Sequence, residues 1–369
     1  MPWSITLGRI FGIEIRVHMT FFLLLSWIGA MYWVAGGPTA AGYGVLFVIL
    51  LFACVVLHEL GHAMAARRYG IGTKEITLLP IGGVASLERM PEKPEREIFV
   101  AIAGPLVNVV IAGLLIIILG GRIDLTKLQS LSDLSAGNMI TQLATLNVML
   151  VVFNLIPAFP MDGGRIFRAL LAFWFSYPQA TRIAARVGQV IAFGFAFLGL
   201  MGNPLLILIA LFVFFAASAE TATIDLREAA RGKCAADAMI SSFESLTPSS
   251  TIDDAANLIL QTTQQEFPVL DEGNRFRGVI TREAIVTALA QLGGRAPVGE
   301  VMTTELPSVS KDAPLETAVR QLEGRGHVAV AIMDADARLA GYITLENIAE
   351  LLMIRSAKEK RGVMQSAVR

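Results

Sequence analysis

His58-Glu59-Leu60-Gly61-His62 closes an uncharged run, Gly44-Val45-Leu46-Phe47-Val48-Ile49-Leu50-Leu51-Phe52-Ala53-Cys54-Val55-Val56-Leu57. Ionisable residues at the end of such a run are costly unless something compensates them, and they usually mark a function. On a helix, residues four apart share a face, so both imidazoles can point at one metal ion. Glu59 is adjacent and can reach a water on that metal. The spacing H-E-x-x-H is a zinc-protease signature. Zinc lowers the pKa of its water to about 7, and Glu59 would take the proton and pass it to a leaving amine. Motif and setting together predict a metalloprotease site within a lipid bilayer.

Composition agrees with a membrane setting. Of 369 residues, 54% are hydrophobic and 17% charged, against about 25% charged in soluble domains; mean hydropathy is +0.61. A net charge of -1 gives no support for nucleic-acid binding. Cys54 and Cys234 lie far apart, which excludes a disulfide framework. Cys54 falls one turn before His58 and reads as a small packing residue. The first sixteen residues lack the basic start and short apolar core of a cleavable signal; their alternation about Gly8-Arg9 predicts a short strand pair.

Apolar runs of spanning length occur near 18–36, 44–66, 97–120, 139–157, 184–201 and 204–221, which predicts six transmembrane helices. Arg9, Arg16, Arg67, Arg68, Lys74, Arg89, Lys93, Arg96, Arg165, Arg168, Arg182, Arg227, Arg231 and Lys233 fall on one side of these runs. Only Arg122 and Lys127 fall on the other. The bias places both termini in the cytoplasm. His62 then lies roughly 9 Å deep from that face. Asn108, with Gly104 and Pro105, reads as a packing and kink element, and His18 as an interfacial residue.

A catalytic zinc needs a third protein ligand and one open position. Only His18 and His327 remain among the histidines, and His327 belongs to a polar, duplicated region, so a carboxylate is the better candidate. Asp162, in Asn154-Leu155-Ile156-Pro157-Ala158-Phe159-Pro160-Met161-Asp162-Gly163-Gly164-Arg165, enters from the same side as His62. From residue 231 the chain is polar and repeated. Asp237-Ala238-Met239 matches Glu300-Val301-Met302, and Gly278-Val279-Ile280-Thr281 matches Gly341-Tyr342-Ile343-Thr344, both at an offset of 63. Each copy reads as strand–helix–strand–strand–helix, with helices over 252–264 and 314–325.

These elements resemble the site-2 protease family of intramembrane zinc metalloproteases. The resemblance covers roughly 1–225 and rests on the HELGH at 58–62, on Ala103-Gly104-Pro105-Leu106-Val107-Asn108 and on the NLIPAFPMDGGR at 154–165. It implies His58, His62 and Asp162 as zinc ligands, Glu59 as catalytic acid and base, and Asn154 as a group holding the scissile carbonyl or its oxyanion. It also implies a Gly-Gly strand, here Ile81, Gly82, Gly83, Val84, Ala85 and on to Leu87, whose edge holds an unwound substrate extended. The duplicated region resembles a pair of CBS modules, which implies an adenine nucleotide such as ATP or AMP between the repeats. The residues this places there are Thr281, Thr344 and Asn347; Ala284 and Asn347 stand where the family carries an acidic residue.

The expected architecture is therefore a polytopic α-helical membrane protein, six transmembrane helices with a short membrane-associated β element, plus a C-terminal α/β CBS pair. Its divisions are a metalloprotease domain 1–225, repeats 231–290 and 295–355, and a tail 356–369. The expected activity is zinc-dependent cleavage of transmembrane segments of single-span membrane proteins in the cytoplasmic membrane. The CBS pair would regulate it or join two copies into a homodimer; membrane lipid is a partner and nucleic acid is not. A CBS-gated transporter or channel, or a non-catalytic membrane adaptor, is the alternative.

Overall fold

The computed structural model describes residues 3–80, 82–87, 90–120, 136–325, 327–351 and 353–354. Ile81, Arg89, Arg122, Lys127 and the 356–369 tail lie outside them. Two compact units divide the chain, Met1–Thr221 and Ala222–Arg369.

In the first unit, strands β1 (Ser4–Ile10) and β2 (Ile13–His18) form an antiparallel hairpin. It turns at Phe11-Gly12, not at Gly8-Arg9. Both turn residues have positive φ, 53° and 86°, the left-handed geometry whose twist suits a two-residue hairpin loop. Near Gly8 the pairing only slips at a bulge, and alternation alone does not separate a bulge from a turn.

Helix α1 (Met19–Arg67) follows at once. Straight, its 49 residues would extend about 73 Å. Yet β2 pairs in parallel with β3 (Thr73–Leu79), Glu14 opposite Glu75 and Val17 opposite Leu78, so the two ends of α1 meet in one sheet. The helix breaks at Gly36-Gly37-Pro38, where Gly37 takes φ 75°. Its limbs pack on each other: Phe21 meets Phe52 edge-on at 4.6 Å, and Gly44 abuts the Tyr32 ring, which a Cβ there would meet at 2.7 Å. The expected spans 18–36 and 44–66 are thus the limbs of one broken helix.

β3 pairs antiparallel with β4 (Gly82–Leu87), which lies at the edge of the order β1-β2-β3-β4. Ile13, Ile15 and Ile76 pack on Leu60 and Ala63, so the sheet sits on the motif-bearing limb of α1. β3 lies outside the sequence expectation, which counts Lys74 only among the basic residues on one side of the apolar runs.

Among the described residues five more helices follow in this unit: α2 (Pro94–Ile118), α3 (Ala136–Asn154), α4 (Asp162–Leu171), α5 (Tyr177–Met201) and α6 (Pro204–Ala230). Among the described residues α1, α2, α5 and α6 are long and apolar enough to cross a membrane, and Asn138–Asn154 is a shorter apolar helix. α3 stops three residues short of Pro157, and α5 starts seven residues ahead of the expected 184. α4 was unforeseen, since Gly163-Gly164 is a poor helix opening by propensity. Packing requires it: a Cβ at 163 would lie 2.4 Å from the Ile156 carbonyl, and one at 164 would lie 2.6 Å from Ala158.

The second unit holds the repeats. The first contains α7 (Ile252–Gln261), β5 (Glu266–Leu270), β6 (Phe276–Thr281) and α8 (Arg282–Gln291). The second contains β7 (Ser308–Ser310), α9 (Leu315–Arg325), β8 (Val330–Met333) and β9 (Leu339–Ile343). The leading strand expected in the first copy is reduced to an isolated bridge between Leu246 and Val269. The matched segments fold alike, as 3-10 turns at Ala235–Asp237 and Val298–Glu300. Each packs in the other copy's core, Ala235 with Leu315, Val330 and Ile343, and Val298 with Ile252, Phe267 and Ile285.

Candidate metal centre

The second limb of α1 aims His58 and His62 at α2 and α4. His58 Nε2 and His62 Nε2 are 3.1 Å apart. Asp162 Oδ2 lies 3.2 Å from the first and 3.1 Å from the second. All three residues are buried, and among the described residues they alone form a cluster of three such ligand atoms. Cys54 stays out of it, packed with Phe47, Met139 and Leu143. His18 caps α1 through Thr20.

The outer ring nitrogens fix how the imidazoles face. His62 Nδ1 donates to the Val100 carbonyl at 2.8 Å, and a carbonyl can only accept. His58 Nδ1 donates to Asn108 Oδ1 at 3.0 Å. Both Nε2 atoms therefore present lone pairs inward beside a carboxylate oxygen. Three mutually facing acceptors about 3 Å apart repel unless a cation lies among them. Tetrahedral zinc with donors at 2.0–2.2 Å would space them roughly 3.3–3.5 Å apart, so the residues fit that ion. The outer partners are of the kind that orient metal-ligating histidines.

Glycines make the approach feasible. A Cβ on Gly104 would fall 2.2 Å from His62 Nε2, and one on Gly61 would fall 2.8 Å from the Ala103 carbonyl. Gly104 and Asn108 thus position the two histidines, a role beyond the packing and kink predicted for them. Asp162 opens α4, and its second oxygen, Oδ1, lies 3.8 Å from Arg165 Nη1.

Glu59 is half-buried, on the sheet side of the motif. β4 passes directly over it: a Cβ on Gly83 would meet Glu59 Cγ at 2.9 Å and Val55 at 3.0 Å. Gly82, Val84 and Ala85 flank this crossing in the same edge strand. Asn154 is the half-buried last residue of α3. In the second unit Thr344 and Asn347 line a cavity and Thr281 does not; Thr281 caps α8 through Ala284 instead.

A second buried polar cluster escaped the sequence reading. Arg168 of α4 is 1% exposed and donates to Glu97 Oε1 of α2 at 2.6 and 2.8 Å. It also pairs with Glu220 of α6 and lies 5.0 and 4.9 Å from the Phe159 and Tyr177 ring centres. Arg168 had been counted only as a charge marking one side of the membrane.

The Peptidase family M50 model matches residues 46–121 and 118–198, and the CBS domain model matches 235–291 and 298–354. The chain is 38% identical over 274 residues to Zinc metalloprotease MJ0392 of Methanocaldococcus jannaschii, an alignment spanning 74% of this chain and 77% of the relative. A Synechocystis protein named as a candidate zinc metalloprotease, sll0528, is 29% identical, covering 99% of this chain and 94% of its own. The solved Site-2 Protease from Methanocaldococcus jannaschii covers 59% of this chain and 95% of its own at 41% identity, with a TM-score of 0.45. The chain belongs to the site-2 protease, or M50, family of zinc metalloproteases and is a membrane protein that carries a CBS pair.

Proposed function

We propose that this metalloprotease cleaves a transmembrane segment of a single-span membrane protein at the His58-His62-Asp162 centre. The observation that carries the reading is the placement of Glu59 between three convergent donors and an edge strand. His58, His62 and Asp162 would hold zinc, which when bound supplies Lewis-acid activation of water and carbonyl. Glu59 takes a proton from the attacking water on its carboxylate and returns it to the leaving nitrogen, so that the amide is split without net proton change. Asn154 offers an amide to the developing oxyanion. A helical substrate must unwind to reach these groups, and β4 offers an unpaired backbone edge, from Gly82 to Ala85 with Ile81 before it, along which it adds as a strand. The open edge and Gly83 against Glu59 support this reading. The same facts give no support to a CBS-gated transporter, a channel or an inert adaptor.

The finer parts of the proposal are six spans, counting both limbs of α1 and the short α3, with lipid around them, in the cytoplasmic membrane with both termini cytoplasmic. The distribution of Lys and Arg supports the orientation. The CBS pair is proposed as a regulatory module for an adenosine-bearing ligand, ATP and AMP being what the resemblance implies, and as a homodimer contact. The decisive test reconstitutes the protein with single-span substrates. Glu59→Gln should retain one zinc per chain and lose about 10²–10⁴-fold in cleavage; zinc present with cleavage intact overturns the mechanism. Val84→Pro should reduce cleavage with zinc retained, and unchanged cleavage rejects β4 as the substrate edge.

A further inference from the structure

Asn147 of α3 and Asn108 of α2 are 0% and 1% exposed, and each uses only one end of its amide. Asn147 Nδ2 donates to the Leu143 carbonyl at 2.8 Å, and its Oδ1 has no hydrogen-bond partner among the described residues. Asn108 shows the opposite pattern. Its Oδ1 accepts from His58 Nδ1 at 3.0 Å, and its Nδ2 has no partner among the described residues. One amide lacks a donor and the other an acceptor, in an apolar interior where an unmade hydrogen bond is costly.

Packing puts the two amides at one level. Phe47 and Cys54 of α1 cluster with Ile111 and Leu115 of α2 and with Met139, Leu143 and Leu146 of α3. His58 lies one turn beyond Cys54 on α1, and Asn108 lies one turn before Ile111 on α2. Their hydrogen bond marks the metal side of that cluster. α3 leaves the cluster toward Asn154, eight residues ahead of Asp162, so Asn147, one turn past Leu143, lies on the metal side too. Packed helix axes are about 8–10 Å apart, a gap that two asparagine side chains cross directly or with one water between them.

The protons then have one order. The Leu143 carbonyl can only accept, which leaves Asn147 Oδ1 as a fixed acceptor. An acceptor there holds Asn108 Nδ2 toward α3 and Asn108 Oδ1 toward His58. His58 Nδ1 carries the proton, and Nε2 keeps the lone pair that a metal needs. With the Asn108 amide turned over, Nδ2 would face His58 and drive that proton to Nε2. The two ends of an amide are nearly alike in shape, so packing around Asn108 does not choose between them.

We propose that Asn147 is a positioning residue of the metal centre: it accepts from Asn108 Nδ2, directly or through one internal water, and so sets the tautomer of His58. The proposal rests on reading His58-His62-Asp162 as a zinc site, and its test separates the two. Zinc dissociation constants are measured by chelator competition on full-length protein in detergent, for wild type, Asn147→Leu, Asn108→Ala and the double variant. Asn147→Leu should bind zinc about tenfold more weakly than wild type, and the double variant no more weakly than Asn108→Ala alone. Unchanged affinity in Asn147→Leu, or losses that multiply in the double variant as expected of a residue that only ties α3 to α2, overturns the relay. If the leucine variant does not fold, Asn147→Ala takes its place in the same cycle. A second readout needs no metal. Nitrogen NMR spectra of isotope-labelled histidine in metal-free protein should show His58 protonated at Nδ1 in wild type and at either ring nitrogen in Asn147→Leu. A single Nδ1–H form in that variant overturns the proposal. Wild type that binds no zinc overturns the zinc reading, and the histidine spectra then decide the relay alone.

Discussion

Two buried polar clusters join α2 to α4, and they solve the same problem in opposite ways. The His58-His62-Asp162 cluster gathers three electron-pair donors with no positive group of its own at its centre. The Glu97-Arg168-Glu220 cluster carries its cation within it, a guanidinium that pairs with two carboxylates and lies against two rings. The first needs an ion from solution to balance its donors, and the second has its charges paired when the chain folds. An incomplete cluster keeps a position for chemistry, whereas a complete one can only hold elements together. Asp162 and Arg168 sit six residues apart on one short helix, so the structural cluster anchors the helix that carries the open one.

His62→Ala breaks the comparison most severely. It leaves two donors, too few for a tight structural or catalytic zinc site, so zinc content by mass spectrometry and cleavage should both be lost while the fold persists. Zinc retained at one per chain would show that the cluster is not the binding site. Next comes Arg168→Met, which leaves Glu97 buried and unpaired and should cost about 3–5 kcal/mol, read as a lower melting temperature in detergent. Adding Glu97→Gln should recover part of that loss, with zinc per folded molecule unchanged. Zinc loss from the stable double variant would merge the two clusters into one. The smallest effect belongs to Asn108→Ala, which frees His58 to rotate. Zinc affinity by chelator competition should fall about 10–100-fold with little change in melting temperature, and an unchanged affinity would return Asn108 to a packing role.

The H-E-x-x-H was legible because its whole meaning lies within one helical turn and its setting. Asp162 could be approached from sequence because it follows a helix-breaking Pro-x-x-Pro on the same side as His62. Asn108 could not, since a single Asn in an apolar helix looks the same whether it binds a neighbouring helix or a histidine fifty residues away. Arg168 was hidden by the rule that located it: counting basic residues for orientation treats each as a solvated charge. Likewise Lys74 counts in the sequence only as one more basic residue, and the parallel partner 61 residues earlier makes β3 a strand. The apolar helices needed no partner to be seen, though the break in α1 needed the sheet to be understood as a return.

That return has a geometric consequence. β2 leads into α1 and β3 leaves it, and the two pair in register, so sheet and histidine limb form a closed frame of fixed dimensions. Gly83 is held at one place along Glu59 by counting residues around that frame. If a substrate strand pairs with β4, the bond that is cut is set by how many residues separate it from the paired register. Selectivity would then behave as a ruler, sensitive to insertions and deletions in the substrate and tolerant of side-chain identity.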